Sequence, residues 1–168
     1  MEQEFLDIVN QKDNVIGQDT KENKFKKGLI SRNVAIFIMD KNKKLLITKR
    51  SSLKESFPNR YDLAACGNVK VGESYEDAAY REVMEELGIH CDLKFLGKIF
   101  NVFKENNKTI KYFTGIFLGH FSRKVKLSDE LVELRRLSVE EVEELIKNKK
   151  LFTPGFVNDF LFIKDKLK

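Results

Sequence analysis

The residues of this sequence best suited to chemistry are acids at fixed spacing: Glu73, Glu82, Glu85 and Glu86, with Arg81 among them and Gly67 and Gly88 on either side. Ser74 followed three residues later by Asp77 reads as a capping box, and Gly88 stands where a left-handed stop belongs, so the stretch between them reads as a helix. Placed at steps of about 100°, Ala79, Tyr80, Val83, Met84 and Leu87 fill one arc, and Glu82, Glu85 and Glu86 fill the neighbouring one. Glu82 and Glu86 are like charges at i and i+4, a pairing that costs roughly 0.2–0.5 kcal/mol on an exposed helix. A divalent cation reverses that penalty. Mg2+ (or Mn2+) suits the arrangement, because such ions take hard oxygen ligands and are commonly held by one or two carboxylates plus substrate phosphate. Arg81 lies four residues before Glu85 and eight after Glu73, where a guanidinium bridges carboxylates and fixes their rotamers. A Glu-rich helix is by itself usually a solvated face, and Glu140 to Glu144 reads that way. What separates residues 67–89 is that every interval is defined.

Those intervals carry a resemblance. The pattern G, five residues, E, seven residues, REUxEExGU, with U a bulky aliphatic, is the Nudix box, and GNVKVGESYEDAAYREVMEELGI matches it at every specified position. The resemblance implies an α/β (α+β) fold, a Nudix-type α/β/α sandwich around a mixed β-sheet, here with an N-terminal β-hairpin. It further implies hydrolysis of a nucleoside diphosphate derivative by water attacking phosphorus with divalent metal. Carried over, Glu82, Glu85 and Glu86 become metal ligands, the Gly67 carbonyl another, and Glu73 and Arg81 support their geometry. Family members usually recruit one more carboxylate from outside the box, as ligand or base. Glu130 and Glu133 resemble that position.

Outside the box, VIG, KGLISR, LLITKR, Lys54, Pro58, Tyr61-Asp62 and Cys66-Gly67 resemble the Nudix branch that includes type I isopentenyl diphosphate isomerase. Cys66 matches the cysteine of that enzyme. Its metal-binding histidines, however, would fall near Phe25, Ser31 and Asn68, and its later acidic pair around Thr109 to Lys111, so the matching parts favour hydrolysis. Isomerisation of prenyl diphosphates stays as an alternative, and a catalytically silent nucleotide-binding module as a further one. Arg50 and Lys54, four residues apart, resemble phosphate-contacting positions of this branch, with Lys49 and Arg32 as weaker candidates.

The elements that must position these groups are mostly short strands. Phe5, Ile8, Val9, Val15 and Ile16 around a polar turn at Gln11 to Asn14 read as an N-terminal hairpin within residues 1–28, able to supply edge strands or a homodimer contact. Val34 to Met39 and Leu45 to Thr48, either side of Asp40 to Lys44, read as a second hairpin. Tyr61 to Ala65 is a short strand entering the box. Leu93 to Phe103 and Ile110 to Phe121 are strands, and Arg135 to Leu137 a brief one. Ser138 caps a helix over Val139 to Asn148, and a final helix covers about Phe156 to Lys166.

The 168 residues suit one domain, and 42% hydrophobic with 34% charged residues is a globular composition. The net charge of +5 is spread among 26 acids, which favours phosphorylated small-molecule ligands without indicating specific nucleic-acid binding. The basic run Lys21 to Lys27 reads as a solvated segment. Cys66 and Cys91 lack metal-ligand spacing, and His90 and His120 read as surface residues. Nothing approaches the roughly 18 apolar residues of a membrane span, so the expected location is cytoplasmic.

Overall fold

A computed structural model describes residues 4–54, 56–105, 107–125, 131–148 and 150–168. The N-terminal hairpin forms as expected, from β1 (Phe5–Val9) and β2 (Val15–Thr20). The Asn10 side chain closes its turn by accepting from the amides of Lys12 and Asn14 at 2.8 and 3.1 Å. The basic run that follows is not a loose segment. It is the helix α1 (Lys21–Lys27), because Thr20 caps it by accepting from the Asn23 amide and Gly28 stops it in the left-handed region.

The long strand β3 (Ile30–Met39) organises the sheet. It pairs in parallel with β8 (Lys108–His120), antiparallel with β6 (Ala65–Asn68), and at its start with β1. β7 (Leu93–Glu105) runs antiparallel beside β8. A second group joins β4 (Leu45–Arg50) to β5 (Tyr61–Asp62) and β9 (Leu131–Leu137), the last longer than its sequence suggested. The expected hairpin of β3 and β4 exists only at its turn, where the Asp40 amide donates to the Lys44 carbonyl at 2.8 Å. Beyond the single pair Met39 and Leu45 the strands part, since β6 occupies the edge of β3 from Asn33 to Ile36 and β9 that of β4. Their splayed ends leave a cleft between them.

Strand alternation then divides β3 between two cores. Val34, Ile36 and Ile38 pack with Ala79, Val83 and Leu87 of α2 (Tyr75–Leu87) on one face. Ala35, Phe37 and Met39 pack on the other with Val142 of α3 (Val139–Leu145) and Phe156, Phe160 and Ile163 of α4 (Pro154–Ile163). The result is the expected α/β/α sandwich around a mixed sheet. The third helix ends at Leu145, short of the expected Asn148, and the last begins at Pro154, because Thr153 caps it and proline suits a first helical turn. Among the described residues no helix is long and apolar enough to cross a membrane.

Candidate active site

The loop and helix of residues 67–89 are built by their own sequence. Ser74 Oγ accepts from the Asp77 amide at 3.1 Å, Asp77 Oδ2 accepts from the Ser74 amide at 3.2 Å, and the Gly88 amide donates to the Met84 carbonyl at 3.0 Å. The helix is rolled relative to the expected apolar arc. Tyr80 is 41% exposed, and the buried stripe runs through Ala78, Ala79, Glu82, Val83 and Leu87, so one of the acids points inward. Gly67 makes room for it. A methyl group on its Cα would overlap the Glu82 carboxylate, so only glycine leaves that acid its place.

Arg81 gathers three of the acids. Its Nε and Nη2 donate to the two oxygens of Glu73 at 2.7 and 2.9 Å, Nη1 donates to Glu82 at 2.5 Å and to Glu85 at 3.3 Å, and Nη2 also reaches the Asn68 carbonyl at 2.9 Å. This bidentate hold pulls the Glu73 carboxyl below its ordinary range and pushes the Arg81 guanidinium up. Glu73 is fixed from the loop as well, by the Lys70 amide at 2.9 Å.

Glu86 stands apart from the clamp. Its Oε2 accepts from the Cys66 amide at 3.2 Å, yet burial and the neighbouring Glu82 push its carboxyl up to about 8. Burial also raises Glu82, against the pull of Arg81. Cys66, with Sγ 4.0 Å from Asp62 Oδ2, is raised well above an ordinary thiol by burial and then by Asp62 and Glu86. Negative charge is thus disfavoured across this group of side chains, which is the condition a cation relieves.

A cavity of about 1090 Å³ opens beside these residues. Gly67, Arg81, Glu82, Glu85 and Glu86 form part of its lining, together with Arg50 and Lys54 from the splayed end of β4 and the loop after it. Arg50 is tied down while it faces the cavity, donating to Asp62 at 3.3 Å and to the Ser56 carbonyl at 2.9 and 3.1 Å. Glu73, held by Arg81, is not part of the lining, and three further expected residues lie elsewhere. Arg32 donates to Asp13 Oδ1 and to the Asp13 carbonyl at 2.6 and 2.5 Å, Lys49 lies 3.9 Å from Glu133, and Glu133 accepts from the Tyr61 hydroxyl at 3.0 and 3.1 Å, none of them lining the cavity. Glu130 lies outside the described residues. His90 and His120 are exposed, as expected.

Other cavity residues escaped sequence reasoning: Asp62, Tyr112, Thr114, Asp159 and Lys24. Asp159 is 2% exposed and accepts from Asn101 at 2.9 Å, and burial pushes its carboxyl up to about 8. The cap and stop around α1 were a usable signal for Lys24. The others are gathered by strand pairing between segments distant in sequence.

The acids fit a hard divalent cation by donor chemistry: oxygen ligands, raised proton affinity at Glu82 and Glu86, and a glycine cradle that holds one carboxylate. Among the described residues no three acidic, histidine or cysteine side chains already converge as ligands. Glu82 and Glu85 are turned to Arg81.

The family model described as NUDIX domain matches residues 29–160. An isopentenyl-diphosphate Delta-isomerase of Photorhabdus laumondii is 31% identical over 147 residues, 86% of this chain and 83% of the relative. A Nudix hydrolase of Clostridium acetobutylicum is 30% identical over 171 residues, 94% of this chain and 82% of the relative. Among solved structures, DR0079 from Deinococcus radiodurans superposes with a TM-score of 0.76 at 24% identity, over 98% of this chain and 99% of that one, a likeness of fold.

Proposed function

The chain belongs to the Nudix family and is a Nudix hydrolase, and from that premise we propose that it cleaves the diphosphate linkage of a nucleoside diphosphate derivative by attack of water on phosphorus, with Mg2+ or Mn2+. One observation carries this reading: a single guanidinium on the wall of a large cavity, itself held by Glu73, organises Glu82 and Glu85 on that wall, with Glu86 beside them.

Glu82, Glu85, Glu86 and the Gly67 carbonyl are the groups that would hold the cation. When bound, it neutralises the diphosphate and polarises the phosphorus under attack. The protein's own share is positioning. Arg81 keeps Glu82 and Glu85 in place, and Arg50 and Lys54, on the same cavity, bind the non-bridging oxygens of the diphosphate. Glu85, with 53% of its side chain exposed, is the acid reached by incoming water and receives the proton that the water sheds. Glu133, the other candidate, faces Tyr61 and Lys49 and does not line the cavity, which supports Glu85 as the base.

The test is a panel of nucleoside diphosphate derivatives with Mg2+ or Mn2+, read by phosphate release after phosphatase treatment. Turnover in wild type that is lost in Glu86→Gln supports the reading. Equal silence of both proteins across the panel overturns it.

A second reading, isomerisation of isopentenyl diphosphate, is favoured by the placement of Cys66 on the cavity and by the likeness to the Photorhabdus isomerase. Phe25, Ser31 and Asn68 stand where the resemblance would need histidines. Dimethylallyl diphosphate formed by wild type and not by Cys66→Ala would establish it, and absence of that product removes it.

A further inference from the structure

The far end of the cavity carries a charge that the hydrolysis reading does not use. Lys24 is 3% exposed, yet it lines the cavity. Among the described residues it donates no hydrogen bond and enters no ion pair; its neighbours are two aromatic rings, Phe25 and Tyr112, with centroids 5.0 and 5.5 Å from Nζ. Burial, helped by nearby Lys21 and opposed by Glu4, pulls its ammonium down to about 8. An ammonium largely withdrawn from water, with no acceptor and its remaining exposure toward a cavity, is costly to maintain and is stabilised by an anion that enters there.

The strand register places this ammonium away from the acids. Tyr112 lies beside Ser31 on β3, whereas Gly67 lies beside Val34, three residues further along. At about 3.3 Å per residue the two levels are roughly 10 Å apart. Aromatic rings occupy the wall near Lys24, with Phe103 5.6 Å from Tyr112 and Phe57 5.7 Å from Phe103. A diphosphate held at Glu82 and Glu86 therefore leaves Lys24 to meet a different part of the same ligand.

We propose that Lys24 anchors a second oxyanion of the substrate, a phosphate monoester or a carboxylate carried on the portion beyond the scissile diphosphate. The substrate class is then a diphosphate derivative with an additional acidic group, and neutral congeners are poorer ligands. This inference rests on the diphosphohydrolase reading for the opposite end of the cavity.

Two matched pairs separate the sources: coenzyme A against dephospho-coenzyme A for the phosphate, and UDP-glucuronate against UDP-glucose for the carboxylate. Binding is measured by calorimetry without added metal, and turnover with Mg2+, for wild type, Lys24→Met and Lys24→Arg. In one pair wild type should favour the acidic member by at least about tenfold, Lys24→Arg should keep the preference, and Lys24→Met should lose it while the neutral member changes by less than about twofold. Lys24→Met should also melt no lower than wild type, since it removes a buried charge that, among the described residues, has no hydrogen-bond acceptor or carboxylate against it; a structural lysine would melt lower. No preference in either pair overturns the proposal, as does equal weakening of both members in Lys24→Met. A binding preference without turnover of any compound would keep Lys24 as the anchor and sink the hydrolase reading.

Discussion

Replacing Asp159 by Asn should stabilise the protein, and by an amount that depends on pH. Asp159 is buried between α4 and β7, where Asn101 Nδ2 donates to its Oδ1 at 2.9 Å and also to Thr114 Oγ1 at 2.9 Å. Burial, with a smaller contribution from Asp62, moves its carboxyl from 3.8 to about 8. Between those values the native chain keeps a proton that the unfolded chain releases, so stability falls as pH rises through this window, at about 1.4 kcal/mol per pH unit in the limit. Below pH 4 both states are protonated and nothing is lost; above about 8 the loss is complete. Asn cannot ionise, and its carbonyl accepts the same bond from Asn101. After allowance for structural relaxation, the gain at pH 7.5 is about 2–4 kcal/mol, or roughly 5–12 °C for a chain of this size. Thermal unfolding followed by circular dichroism from pH 4.5 to 9 reads both proteins, which should converge at the acid end. A gap independent of pH, or a variant that melts below wild type at pH 7.5, would refute the assignment of a buried, protonated carboxyl.

Further expectations concern the box and the thiol. Gly67→Ala should drive the Glu82 carboxylate from its cradle, lowering kcat by about 10–100-fold while costing only about 1–2 kcal/mol in urea unfolding; unchanged turnover would mean that Glu82 has no part in catalysis. Arg81→Lys should lower kcat by a similar 10–100-fold, roughly, because an ammonium cannot span both Glu73 oxygens while holding Glu82. Wild-type rates in that variant would dissolve the clamp argument. Cys66 should resist iodoacetamide at pH 8 in the native protein, reacting at least about tenfold more slowly than free cysteine, as followed by peptide mass spectrometry. Rapid alkylation there would show that its thiol is not raised.

Where a feature depends on neighbours in sequence, the chain declared it. The Ser74–Asp77 box, the Gly88 stop, the Ser138 cap and the Asn10 turn are each closed by bonds spanning a few residues, and each lies where the sequence puts it. The mismatches are tertiary. Tyr80 is apolar enough to join a core arc, but the buried stripe of α2 takes in Ala78 and Glu82 instead, and the room for Glu82 beside Gly67 is nothing a helical wheel contains. β3 and β4 alternate as hairpin partners should, yet β6, more than twenty residues later, claims the edge that the hairpin needed. Lys24 was hidden by its own composition, since a lysine in a basic run reads as solvated until the Thr20 cap and Gly28 stop make it one face of a helix.

The site and the cleft have a common origin in that competition for an edge. Because β6 pairs with β3 over Asn33 to Ile36, Gly67 is pressed against α2 and Cys66 is brought to the amide contact with Glu86. Because β4 is then left to β5 and β9, its end carries Arg50 away from β3 and opens the cavity into which the acids face. The charges this creates are poorly compensated within the protein: Glu86 and Asp159 hold protons near neutrality, and Lys24 lets its own go more readily than an exposed lysine. A fold selected for stability alone would replace these groups by apolar ones, since buried charge seldom stabilises. Their placement around one cavity, Glu86 at the box, Asp159 on α4 and Lys24 beside Phe25 and Tyr112, supports the proposed reading, in which binding energy from metal, diphosphate and a distal anion offsets their cost.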